Sequence, residues 1–376
     1  MSACGPQEPE LPRDPIPVSV LTGFLGSGKT TVLRHLLAHP AMDETAVVVN
    51  EFGEVGLDHH LLESGSEDTV LLNSGCLCCT LRNDLVQTLR VLFKRRARRE
   101  VPPFRRLVIE TTGLADPAPI LHTLMTDPVL AEWFRLDGVI ATVDAVAGAA
   151  TLDRHPESVK QAAVADRLLL TKPDLAAPAL RESLAARLRD LNPAAPLRDV
   201  LNGAVEPAAL FNAGLYDPET KSADVRRWLK AEAYAAAGAA HGHEHGHGHE
   251  AGHAHDVNRH GDGIRAFSLR YDRPLDWDRF NDWIDMVVAA YGANLLRVKG
   301  LLDVAGSDRP LVIHGVQHVF HPPVALDAWP DAERGTRLVF ITRDLDPAAF
   351  ARTLAAFNED AAAPTAAGVA GAAPAR

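Results

Sequence analysis

The sequence predicts an α/β chain: a mostly parallel sheet with helices on both faces, followed by a small α+β unit. Three observations carry that reading. Apolar runs of strand length recur between helix-like segments, a glycine-rich loop joins the first run to the first helix, and a histidine-rich stretch divides the chain. At 376 residues there is room for two cores. Hydrophobic residues make up 47% and charged residues 23%, an ordinary globular composition. The formal net charge of −11 argues against nucleic acid or an anionic membrane surface as the main partner.

Residues 1–15 (MSACGPQEPELPRDP) are polar and proline-rich, read as a flexible leader without the basic and apolar regions of a secretory signal. Apolar runs follow at 16–22 (IPVSVLT), 46–50 (AVVVN), 106–110 (RLVIE), 138–144 (GVIATVD) and 167–171 (RLLLT). Helical patterns lie between them, beginning with TTVLRHLLAH and most clearly at 81–96 and 178–190. The alternation implies right-handed βαβ units in a first domain spanning 16–220. Residues 221–262 combine a helix-prone, alanine-rich piece with the linker HGHEHGHGHEAGHAHD, which has too little apolar surface for a core. A second unit, 263–358, reads strand (264–270), helix (276–290), strands (295–303, 310–318 and 336–342) and helix (346–357). The alanine-rich end, 359–376, is expected to be disordered. No apolar run reaches membrane-spanning length.

The strongest chemical signal is GFLGSGKT at 23–30, matching G-x-x-x-x-G-K-[ST] between a strand and a helix. Phosphate oxygens need converging donors without bulk. Gly23, Gly26 and Gly28, with Ser27 between them, let backbone N–H groups form an anion nest at a positive helix end. Lys29 would reach the β- and γ-phosphates, the Thr30 hydroxyl would ligate Mg²⁺, and Thr31 completes the loop. The motif makes the first domain a P-loop NTPase domain. Glu110, ending the RLVIE strand, would order Mg²⁺ and its waters, and Gly113 would offer an N–H near the γ-phosphate. Lys29, Thr30 and Glu110 are therefore the catalytic candidates. TKPD at 171–174 matches the guanine-reading pattern: Asp174 can accept both donors of the guanine edge, where adenine presents an acceptor. The Lys172 stem would lie across the base, and Thr171 stands where many GTPases carry asparagine. These residues point to GTP.

The chain has 4 cysteines, three of them within NSGCLCCTLRNDL as Cys76, Cys78 and Cys79. Adjacent cysteines make poor disulfide geometry, and thiols ahead of a helix have lowered pKa values. Thiolates select Zn²⁺, Co²⁺ or Cu(I) over Mg²⁺, and three ligands leave a shell open for exchange. Buried core cysteines and a redox-active thiol are the alternatives. The clustering and the lack of a signal sequence suit the cytoplasm.

GFLGSGKTT, NEFGEVGLD at 50–58, GCLCC at 75–79, ETTGLADP at 110–117 and TKPD, in this order, resemble the CobW-like metallochaperone GTPases. The resemblance covers roughly 16–200, and the unit after Gly263 is similar to that family's C-terminal domain. It implies a GTPase that delivers a metal to client metalloproteins; members of the family serve zinc, cobalt and other metals, and Zn²⁺, with Co²⁺ possible, is expected for this chain from its thiolates. It also implies that 50–58 is a switch-like segment with Glu51 near the metal region.

Of 17 histidines, eight lie between His241 and His260. His241, His243, His245, His247 and His249 alternate, and several neutral imidazoles would reach one ion, forming weak exchangeable sites. A solvated linker is the plain alternative. His314 and His318 sit four apart in a strand-like run and are expected on one face, more as packed or surface histidines than as ligands. KRRARR at 94–99 ends a helix pattern, where positive charge suits the dipole. No glutamine or arginine is placed by the sequence as a hydrolysis catalyst, so slow turnover is expected. Three rival functions are a maturation factor dedicated to one enzyme or to cobalamin synthesis, a metal buffer that binds nucleotide only, and a P-loop kinase of a small molecule, which would have no use for C-x-C-C. The client and the oligomeric state are not encoded legibly.

Overall fold

The computed structural model describes residues 14–50, 70–73, 81–211 and 263–358. Residues 1–13 of the expected leader, the 51–58 segment with Glu51, Cys76, Cys78 and Cys79, the histidine-rich linker and the C-terminal tail all lie outside these residues.

In the first unit the strands are β1 (Ile16–Gly23), β2 (Thr45–Asn50), β3 (Val70–Asn73), β4 (Arg106–Thr111), β5 (Phe134–Asp144), β6 (Arg167–Thr171) and β7 (Leu197–Val200). They form a parallel sheet of order β3-β2-β4-β1-β5-β6-β7. The helices are α1 (Lys29–Leu37), α2 (Leu81–Ala97), α3 (Ala118–Thr126), α4 (Pro128–Trp133), α5 (Gly148–Arg154), α6 (Pro156–Val164) and α7 (Pro178–Leu191). They cover both faces, so the central strands are buried almost throughout, β6 as five consecutive buried residues. On one face Leu89, Leu92, Leu121 and Leu124 pack on Val18, Ile109 and Leu136. On the other, Val32, Leu33 and Leu36 of α1 meet Leu21, Val108 and Ile140. Helices α5 to α7 cover β5 and β6 on the face opposite α1, where Leu152, Val159, Leu184 and Leu188 pack on Ala141, Val143, Leu168 and Leu170.

The second unit is an antiparallel sheet, β11-β10-β9-β13-β8, covered by two helices. Its strands are β8 (Ile264–Tyr271), β9 (Leu295–Leu302), β10 (Leu311–Val316), β11 (Val319–Phe320) and β13 (Thr336–Arg343), with the short β12 (Val324–Ala325) paired to β10. Helices α8 (Trp277–Tyr291) and α9 (Pro347–Asn358) supply Phe280, Trp283, Ile284, Phe350 and Leu354 to a core with Val298, Leu302 and Phe340. Asp276 caps α8 by accepting from the Arg279 N–H at 3.0 Å.

One expectation fails here. The strand read over 310–318 stops at Val316, because Gln317 takes a positive φ of 54° and turns the chain into β11. His314 lies in β10 opposite Lys299, whereas His318 lies in the turn and packs edge-on against His122 of α3, ring centres 4.3 Å apart. The two do not share a strand face.

Candidate nucleotide and metal site

In a parallel sheet the strands deliver their C-terminal ends to one edge, and ligands bind there. The loop after β1 is shaped by three glycines at positive φ: Gly23 (140°), Gly26 (71°) and Gly28 (91°). At Gly23 a Cβ would collide with the Thr142 side chain and carbonyl, so only glycine lets the loop leave the sheet here. Gly28 is the left-handed N-cap of α1 and leaves the first N–H groups of that helix open to an anion. The buried Lys29 ammonium donates to the Gly23 carbonyl at 2.8 Å and the Phe24 carbonyl at 3.2 Å, folding back over the loop it serves. Ser27 shares a 2.6 Å hydrogen bond with Thr142 of β5, fixing the loop from the side. Thr31, exposed on α1, directs its carbonyl against Gly203.

Thr30 Oγ1 donates to Glu110 Oε1 at 3.0 Å. The sequence separates them by 80 positions, and the β1–β4 pairing reunites them. A hydroxyl and a buried carboxylate meeting at a helix N-terminus fit a hard, oxygen-liganded cation such as Mg²⁺. Three residues on, Gly113 lies so close to the P-loop that a Cβ would come within 2.5 Å of the Leu25 nitrogen.

The guanine-type element follows β6. Lys172 has a positive φ of 53° and donates to the Gly26 carbonyl at 2.8 Å and to Asp144 Oδ2 at 2.6 Å. Asp144 also accepts from the backbone of Val146 and Ala147. Burial alone would raise its carboxyl, but Lys172 and the two N–H groups hold it below the usual range. Asp174 is exposed beyond this brace, free to meet a ligand. Thr171, also expected at the nucleotide, donates to the Ser27 carbonyl at 2.7 Å and the Val143 carbonyl at 3.2 Å, and so braces the loop.

Sequence reading missed Asp144. Its signal was present: like Glu110, it is an acid ending an apolar strand at the ligand edge. The expected thiolate and histidine ligands fall outside the described residues, and among the described residues no group of three or more His, Cys, Asp and Glu side chains could hold a metal ion. No described helix is long and apolar enough to cross a membrane.

Known proteins resemble the chain along both of its units. Residues 17–199 match the CobW/HypB/UreG nucleotide-binding domain, and residues 264–358 match the cobalamin synthesis protein cobW C-terminal domain. The chain is 33% identical over 328 residues to the zinc chaperone YjiA of Escherichia coli K12, covering 87% of this chain and 94% of the relative. It is 30% identical to the zinc chaperone CobW of a Sinorhizobium species, covering 89% and 95%. The crystal structure of Zn(II)-bound YjiA GTPase from E. coli superposes with a TM-score of 0.65 at 29% identity, over 92% of this chain and 100% of that one. A P-loop nucleotide domain joined to this particular C-terminal sheet, matched over nearly the full length of such relatives, places the chain in the CobW family.

Proposed function

We propose that this CobW-family GTPase is a zinc chaperone that hydrolyses GTP in the cytoplasm and passes its metal to client metalloproteins. The observation that carries the reading is a strand register. Across β4, β2 and β3, Glu110 lies opposite Val49, and Val49 opposite Asn73. At strand spacings of about 4.8 Å, the chain therefore leaves for Glu51 and for Cys76 within roughly 10 Å of the Thr30–Glu110 pair. Nucleotide chemistry and the three thiolates share one sheet edge in this reading. Zinc is the cargo, held by Cys76, Cys78 and Cys79 with Glu51 nearby. His241, His243, His245, His247 and His249 add weaker, exchangeable capacity, for Co²⁺ as well as Zn²⁺.

In the hydrolytic cycle, Lys29 and the N–H groups of 26–31 bind the phosphates. Asp174 accepts from the guanine edge, and Lys172, held by Asp144, supports the base. Thr30 and Glu110 would hold Mg²⁺, which when bound neutralises charge developing on the β- and γ-phosphate oxygens. Gly113 senses the terminal phosphate through its N–H.

Linkage supplies the test. If GTP tightens zinc, zinc must tighten GTP by the same factor. A non-hydrolysable GTP analogue titrated at fixed Mg²⁺ with reductant, with and without saturating Zn²⁺, should bind at least about tenfold more tightly with zinc, or about 1.4 kcal/mol. Equal affinities would remove the chaperone switch and favour a passive metal buffer.

A further inference from the structure

The Gly113 loop needs a support, and the structure supplies one from a helix with no chemical motif. Gln161 of α6 is 1% exposed. Its Nε2 donates to the Gly113 carbonyl at 3.1 Å and to the Ala115 carbonyl at 2.9 Å. Both neighbours are acceptors, so the amide nitrogen must face them, and Oε1 is left buried without a partner among the described residues. One position earlier, Lys160 Nζ holds Asp116 Oδ2 at 2.6 Å. Adjacent side chains of one helix thus grip three residues of the 113–116 loop.

Helix α6 is itself pinned at both ends. His155, at its N-cap, stacks on Phe24 of the P-loop with ring centres 4.4 Å apart. At its C-terminal end the buried Asn192 amide donates to the carbonyls of Ala162, Ala163 and Ala165 at 2.8–3.1 Å, satisfying groups a helix end leaves open. Ala163 packs against Leu296 and Ile341 of the C-terminal sheet.

We propose that Gln161 is a positioning residue for GTP hydrolysis: fixed on α6, it holds the Gly113–Ala115 loop against the P-loop so that the Gly113 N–H meets the γ-phosphate. The proposal rests on the GTPase reading and on the role given there to Gly113. It assigns the role to an amide that never touches nucleotide, so its signature lies in the terminal phosphate and not in general affinity. Gln161→Met keeps the volume and removes the donor. Its kcat for GTP should fall at least about tenfold while GDP affinity and melting temperature stay at wild-type values. Gln161→Glu should be impaired at pH 8 and, relative to wild type at each pH, recover in part toward pH 6, because only the protonated carboxyl can donate, and its single O–H restores one of the two hydrogen bonds. Wild-type turnover in Gln161→Met would overturn the proposal, as would equal loss of GDP and GTP-analogue affinity, which marks a structural role. A wild-type protein that binds GTP without hydrolysing it would instead overturn the GTPase reading beneath.

Discussion

β6 and β9 are both buried along their whole length, yet for different reasons. β6 (RLLLT) sits inside a parallel sheet with helices on both faces, and its centre is accordingly three consecutive leucines. β9 (LLRVKGLL) belongs to an antiparallel sheet with helices on one face only; Val298 and Leu302 point to them. Its other face carries Arg297 and Lys299, and it is buried because the nucleotide domain lies upon it. Arg297 Nη2 and Lys299 Nζ reach Asp166 Oδ1 at 2.8 and 2.7 Å, while the Val139 N–H donates to Oδ2 at 3.0 Å. Burial alone would raise the Asp166 carboxyl, but the two cations hold it well below the usual carboxylate range. Lys299 is lowered by burial despite its partner. Complete burial reached through helices reads as a leucine run, whereas burial reached through a neighbouring domain conceals charges that are paired across the junction.

The comparison breaks most severely at Asp166. Asp166→Ala leaves two buried cations unpaired and should destabilise the protein by about 3–5 kcal/mol, read from the denaturant midpoint. A triple replacement of Asp166, Arg297 and Lys299 by apolar residues of similar volume should recover most of that loss. If the single change were silent, the charges would not be closing the junction.

At the ligand edge a change should alter chemistry and spare stability. Lys29→Ala should lower GTP turnover by roughly 100-fold or more, with the unfolding midpoint little changed. A smaller effect is expected at the brace. Asp144→Asn weakens the grip on Lys172 and should raise the GTP dissociation constant about three- to tenfold, measured by calorimetry. A midpoint shift as large as that of Asp166→Ala would show that the acid at the β5 end serves packing.

The smallest effect is in pH. His321 is lowered from 6.5 to about 4, by burial and then by Arg297, with Asp166 opposing. The neighbouring His314 is lowered too, by burial, Lys299 and Arg297. The unfolded chain takes up a proton below about pH 6.5 that folded His321 refuses until about pH 4. Its contribution is therefore whole above pH 6.5 and fades as the pH falls through that window. Stability should drop by about 1 kcal/mol between pH 6.5 and 5.5 on this account, and His321→Asn should flatten the slope.

What could be read from sequence depended on whether the information was local. The P-loop was legible because the strand, glycines, lysine and helix start agree within fifteen residues. The β6 bounds were read to the residue, since RLLLT ends at the TKPD turn. The four-residue strands β3 and β7 were missed because so short a run carries no period. Helix α6 was not singled out; PESVKQAAV has few large apolar residues, and Gln161 in it looks like any surface glutamine until the loop it holds is seen. Arg297 and Lys299 alternate as an exposed strand face would, and only the fold discloses a partner 131 and 133 positions away. The brace from the Thr171 hydroxyl was out of sight for the same reason, its acceptor at Ser27 lying 144 positions back.

The Asp166 cluster also bears on how the chain is made. Ribosomes extend at about 5–20 residues per second, so Asp166 emerges roughly 7–26 s before Arg297. During that interval the nascent nucleotide domain needs only to keep one carboxylate hydrated, which water does readily. The opposite order would present two cations on an exposed sheet face to every acidic surface nearby. Synthesis from the N-terminus thus offers the arriving sheet a negatively charged socket, and docking that sheet becomes a directed encounter.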